Sequence, residues 1–212
     1  MPALVIAVAA PIGGGKSALV NALAQALGNA VTLRFDDYEM ATGQSVEQLA
    51  LWLAEGADFD RLQAPGLAED LIALREGRGI GSRSTGRQGP AVTAAGMREV
   101  GTVVFEMPLG RAWSQTAPLI DVLVWVDAPL DIALARRLRE VTAGILHREP
   151  ADLRPGLVWM HDYLGHYTGT LHAVLSAQRQ AVRPQADLAV GGQGDVAAMT
   201  AQVLQFLEAR GG

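Results

Sequence analysis

The chain has 212 residues and a mass of 22.3 kDa, half of them hydrophobic and 18% charged, which supplies one packed core and excludes disorder of the apolar-poor kind. It contains no cysteine, so disulfides, thiolate zinc sites, iron–sulfur clusters and thiol nucleophiles are excluded together. A formal charge of -5 and a pI near 5.3 argue against nucleic acid as a partner, and no apolar run reaches the roughly 18 residues of a membrane helix. The expectation is a cytoplasmic protein with one domain over 1–212, no membrane partner, and self-association into a homo-oligomer neither required nor forbidden.

In chain order, the apolar run 4–9 predicts a buried strand, and the segment Ala10-Pro11-Ile12-Gly13-Gly14-Gly15-Lys16-Ser17 follows it directly. Residues 17–27 place Leu19, Leu23, Ala26 and Leu27 at helical spacing before Gly28. Strands are expected at 31–35, 103–106, 122–127 and 187–190, and helices at 45–55, 66–75, 130–141, 155–182 with a break near Gly165, and 195–210. The stretch 77–89 carries five glycines with Arg78, Arg83 and Arg87, so a mobile loop is expected over about 77–90. Strands without polar alternation, separated by helices, predict an α/β sandwich around a parallel sheet.

Lys16 is the only lysine among 17 Lys and Arg residues, and it stands inside the glycine-rich segment. That segment fits the phosphate-loop pattern G-x-x-x-x-G-K-[ST] except for Ala10 in place of the first glycine. A strand, a glycine turn and a helix N-terminus gather backbone N–H groups and a positive dipole end around an anion. Residues Pro11, Ile12, Gly13, Gly14, Gly15, Lys16, Ser17 and Ala18 are therefore the expected cradle for ATP phosphates. Lys16 reaches the terminal phosphates and the Ser17 hydroxyl is a hard ligand suited to Mg2+.

Ligands of open α/β sheets sit beyond the carboxyl ends of the strands, so the acids at those ends carry weight. Asp36, after the second strand, is the expected catalytic base, with a turn or helix cap as its alternative. Glu106, after the third, is the expected partner of Ser17 at Mg2+; Asp127, after the fourth, is a rival for that place. Arg136, Arg137 and Arg139, followed by Arg148 and Arg154, read as a lid over 136–154 that brings cations to the phosphates, or as a solvated helix face paired with Glu140 and Glu149. Four histidines do not converge at i, i+4 spacing, and four tryptophans lack interleaved cations, so both sets are assigned to packing, caps or surface.

The phosphate loop, Phe35-Asp36-Asp37-Tyr38, Asp58-Phe59-Asp60, Leu74-Arg75-Glu76-Gly77, Val103-Val104-Phe105-Glu106, Val126-Asp127, Leu134-Ala135-Arg136-Arg137 and Ala186-Asp187-Leu188-Ala189-Val190 resemble, in order and spacing, the uridine kinase group of P-loop kinases, with its pantothenate, nicotinamide riboside and phosphoribulose kinase relatives. The resemblance implies the P-loop nucleoside triphosphate hydrolase fold, a five-stranded parallel sheet, and ATP-dependent transfer to an alcohol. It implies Asp36 as base, Asp58 as a ligand of ribose hydroxyls, and Arg136 and Arg137 at the head of the lid. Uridine kinases carry an aromatic residue and a His in the loop that grips the pyrimidine, whereas this chain reads Ile80-Gly81-Ser82-Arg83-Ser84-Thr85-Gly86-Arg87. Arg83 or Arg87 is expected instead to meet a carboxylate or phosphate on the acceptor.

Position alone suggests Tyr38, Trp52, Met107 and Trp113 as lining for the acceptor pocket. The sequence thus predicts a small-molecule kinase using ATP and Mg2+, with Asp36, Lys16 and Arg137 in the catalytic roles and Asp36, Tyr38, Asp58 and Arg87 toward the acceptor. An ATP-binding switch or ATPase with little acceptor-dependent transfer is the alternative.

Overall fold

Runs that are apolar at every position can hide both faces only beneath two layers of helices, and the strands of this protein are arranged accordingly. The computed structural model describes residues 2–38, 45–80, 101–147 and 153–211. Most of the expected loop, with Arg83 and Arg87, and Arg148 of the expected lid lie outside the described residues. Strands β1 (Leu4–Ala9), β2 (Ala30–Arg34), β3 (Thr102–Glu106), β4 (Val122–Asp127) and β5 (Leu188–Gly191) form one parallel sheet in the order β2-β3-β1-β4-β5. The helices are α1 (Lys16–Leu27), α2 (Val46–Ala54), α3 (Leu67–Arg75), α4 (Leu130–Leu146), α5 (Leu153–His166), α6 (His172–Val182) and α7 (Val196–Gly211). The α/β class and the five-stranded parallel sheet read from the sequence are those observed.

The two-residue period of a strand divides the core into two layers. Val5, Ala7, Val103, Phe105, Leu123 and Trp125 face Leu67, Leu71 and Leu74 of α3 and Val182 of α6. Ile6, Val8, Val104, Val122, Val124 and Val126 face Leu19, Val20 and Leu23 of α1 and Met199 and Val203 of α7. In β3 and β4, even positions therefore look toward α1 and odd positions toward α3 and α6. Residue 106 inherits the α1 side and residue 127 the α6 side.

Most element ends fall within a residue or two of expectation, and the larger or more telling differences have local causes. β2 stops at Arg34 because Phe35 turns into the core, edge-to-face with Trp113 at 5.9 Å, and Phe35–Asp37 winds into a short 3-10 turn. α4 continues to Leu146, with Ile145 buried near its end. The helical stretch 155–182 is interrupted by a π-helical segment, Tyr167–Leu171, close to the expected break, and Tyr167 donates its hydroxyl to the Leu130 carbonyl at 3.1 Å. Among the described residues no helix is long and apolar enough to cross a membrane.

Candidate active site

The carboxyl ends of β1, β2 and β3, the N-terminus of α1 and the middle of α4 line a cavity of about 510 Å³. β1 runs into the glycine turn, where the Gly14 N–H donates to the Pro11 carbonyl at 2.9 Å. Gly13 and Gly15 both take left-handed backbone, with φ of 76° and 102°. Gly13 also lies against α4: a Cβ there would fall 2.9 Å from the carbonyl carbon of Ala133 and nearer still to its oxygen. Gly15 occupies the N-cap of α1 with no side-chain cap, so the first N–H groups of that helix are left to a ligand and to the positive end of the dipole.

Of the expected cradle, Ile12, Gly13, Gly15, Lys16, Ser17 and Ala18 line this cavity, while Pro11 and Gly14 are buried behind it. Asp36, Glu106, Arg136, Arg137 and Glu140 complete its walls. The site thus brings together the residues read separately from 10–18, 36, 106 and 136–137.

Glu106 is 5% exposed, and its Oε1 accepts a hydrogen bond of 2.9 Å from the Ser17 hydroxyl. Its other oxygen, Oε2, is buried and has no hydrogen-bond partner; the Arg34 guanidinium approaches it only to 3.9 Å. A buried carboxylate oxygen left open beside a hydroxyl is the hard-oxygen pairing that suits Mg2+. Among the described residues no three His, Cys, Asp or Glu side chains gather as a metal-binding group; Ser17 and Glu106 are the residues here that would hold a divalent cation, together with phosphate and water. Burial lowers the Lys16 pKa below its ordinary 10.5, while the Glu106 and Asp36 carboxylates oppose that shift by favouring the ammonium form.

Asp36 sits exposed on the 3-10 turn after β2, at the cavity wall. Arg137 is held by Glu140 at 2.9 Å and its buried Nε is unpaired, whereas Arg136 donates to the Gly192 carbonyl at 2.6 Å, tying α4 to the turn after β5. Asp127 lies elsewhere: its carboxylate takes Arg179 of α6 at 2.7 Å and Arg183 of the 3-10 turn that follows α6 at 3.1 Å, as its odd-numbered place on β4 dictates. Glu106 is accordingly the strand-end acid next to Ser17.

The remaining candidates are spread more widely. Asp58 is not on the cavity wall; its Oδ1 accepts the Asp60 N–H at 3.0 Å and caps a short 3-10 turn. Tyr38 is buried and donates to Asp70 Oδ2 at 2.7 Å. Trp52, Met107 and Trp113 are also buried, within the layer under α3, and the two indoles donate to the carbonyls of Asp58 and Leu62. Arg87 lies outside the described residues. Glu140 was read from the sequence only as a helix-face partner of the lid arginines, a pairing that Arg137 makes, and its place on the cavity wall was not foreseen; Arg34, behind Glu106, escaped sequence reasoning, and its signal is its place two residues before Asp36.

No family model matches the chain, and no curated protein matches it by sequence. Solved structures do match. A protein of Silicibacter sp. TM1040, provisionally named a fructose transport system kinase, superposes with a TM-score of 0.54 at 20% identity over 89% of this chain and 90% of its own. A protein of Bacillus stearothermophilus, named with reservation a uridine kinase, gives 0.51 at 15% identity over 89% of both chains. Shikimate kinase from Acinetobacter baumannii, solved with shikimate, gives 0.50 at 17% identity over 98% of this chain and 94% of its own. With its sheet order and its helices on both faces, this chain has the fold of P-loop small-molecule kinases.

Proposed function

We propose that this protein is a kinase that uses ATP and Mg2+ to phosphorylate an alcohol on a small, nucleoside-like or related metabolite. The observation that carries the reading is the Ser17 hydroxyl donating to a buried Glu106 whose second oxygen is open, inside a cavity that also holds Lys16 and Asp36. Bound ATP supplies the phosphoryl group, and Mg2+ screens the charge of its phosphates. Lys16 and the open N–H groups of α1 hold the phosphates, and Ser17 and Glu106 provide the cation's protein ligands. Asp36 takes the proton from the acceptor hydroxyl as the new O–P bond forms and the bond to the nucleotide diphosphate breaks. Arg137, released from Glu140, and Arg136 stabilise charge on the phosphoryl oxygens from the head of the lid read over 136–154. Tyr38 and Asp58 are assigned to the acceptor in this reading, with Tyr38 acting through its bond to Asp70. The fold shared with kinases named for fructose transport, uridine and shikimate supports a small hydroxyl-bearing acceptor.

The test is ATP consumption with Mg2+ against nucleosides, nicotinamide riboside, pantothenate, glycerate and sugar phosphates. One acceptor should stimulate turnover, and Asp36→Asn should lower its kcat about 100- to 10,000-fold while nucleotide binding changes little. Acceptor-independent hydrolysis that survives Asp36→Asn refutes the kinase reading in favour of a switch.

A further inference from the structure

One buried side chain bridges the two chain segments next to the proposed cation site without lining the cavity. Gln178 of α6 is 6% exposed, and its Nε2 donates to the Ala10 carbonyl at 3.2 Å and the Pro108 carbonyl at 2.7 Å. Both partners are carbonyls and accept only, so they select the amide nitrogen and use both of its hydrogens. Ala10 opens the phosphate loop, and Pro108 lies two residues beyond Glu106.

The place of this bridge gives it consequence. β1 and β3 pair up to Val8 opposite Glu106, and the ladder ends with the Met107 N–H on the Val8 carbonyl at 3.0 Å. Past that point the strands part, β1 into the loop bearing Lys16 and Ser17, and β3 away from Glu106. The single amide of Gln178 ties the two departing chains together.

We infer that Gln178 is a positioning residue that sets the spacing between the phosphate loop and Glu106, and so tunes how the Ser17–Glu106 pair takes its divalent cation. This rests on the proposed function, in which that pair holds Mg2+. Gln178 itself touches neither nucleotide nor acceptor.

Two variants of the full chain separate this role from packing. Gln178→Met keeps the length and loses both donors; Gln178→Glu keeps the shape and turns a donor into an acceptor aimed at two carbonyls. The readouts are ATP binding by fluorescence titration with and without Mg2+, thermal melts, and kcat and KM. For Gln178→Met, metal-free ATP affinity should stay within about threefold of wild type, the Mg2+-dependent gain in affinity should shrink about tenfold or more, and kcat should fall about 10- to 100-fold with the displacement of the site. For Gln178→Glu the loss should appear in alkaline buffer and partly reverse in mildly acidic buffer, where a protonated carboxyl donates again to one carbonyl.

Folded variants that keep the wild-type Mg2+ gain overturn the inference and leave the proposed function standing. A wild type without Mg2+-dependent ATP binding overturns both. If Gln178→Met does not fold, Gln178→Glu decides: a Mg2+ gain indifferent to pH rejects the positioning role.

Discussion

Adding a methyl group at Gly13 and at Gly15 tests how the phosphate loop is locked to the rest of the fold. Both positions have positive φ, 76° and 102°, so alanine at either meets the left-handed backbone penalty of about 1–2 kcal/mol. Their surroundings differ. Nothing lies within 4 Å of a Cβ at Gly15, whereas a Cβ at Gly13 falls 2.9 Å from the Ala133 carbonyl carbon, a backbone atom that cannot rotate away. Relief at Gly13 requires the first turn of α4 to retreat, an overpacking cost of about 1–3 kcal/mol on top of the backbone penalty. Gly15→Ala should therefore destabilise the ligand-free protein by about 1–2 kcal/mol and Gly13→Ala by about 2–5 kcal/mol. At about 2–4 °C per kcal/mol for a chain of this size, melts should separate the two variants clearly. Because Arg136 and Arg137 follow Ala133 on the same helix, Gly13→Ala should also weaken ATP binding. Equal loss of Tm in the two variants would show that α4 does not rest on the loop and would refute the packing argument.

Three further outcomes follow from the site. Burial holds the Lys16 pKa below 10.5, so between that lowered value and 10.5 the unfolded chain binds more protons than the folded one. The stability difference between wild type and Lys16→Met should rise with pH across that window, and urea titrations in which it is flat or falls would reject the burial of this ammonium. Asp127→Ala should cost about 1 kcal/mol, since its ion pairs with Arg179 and Arg183 are partly exposed, and should leave the Mg2+ requirement unchanged. Glu106→Gln should instead abolish most of the Mg2+-dependent gain in ATP affinity; isothermal titration of both variants checks the contrast, and equal effects would reject the assignment of Glu106.

The glycine turn between β1 and α1 was legible because local backbone demands leave few residue types to choose from: positive φ favours glycine, and a lone lysine stands beside it. The strand-end acids were less so. β3 and β4 both read as apolar runs finishing on an acid, and a strand buried on two faces has no polar alternation to say which side looks at α1. Register decides it, placing residue 106 on the face shared with Ile6 and Val8 and residue 127 on the face shared with Trp125. The aromatic residues near the site misled for a related reason. Trp52 and Trp113 have the size of pocket walls, but an indole N–H that finds a backbone carbonyl can be buried at little cost, and theirs do.

Arg34 and Gln178 define a harder class. Arg34 reaches Glu106 across neighbouring strands and Asn21 on α1, and Gln178 reaches Ala10 from 168 positions away. Neither sits in a local pattern, because what each requires is a particular neighbour and not a particular backbone angle. In the proposed function the chemistry of this site divides by range: groups that would meet phosphate are imposed by the turn that carries them, while those around the Ser17–Glu106 pair are imposed by the sheet order, which brings β3 between β1 and β2. A substitution in the second group should disturb the response to Mg2+ before it disturbs the binding of nucleotide, since the loop that cradles phosphate can keep its own glycine-determined shape.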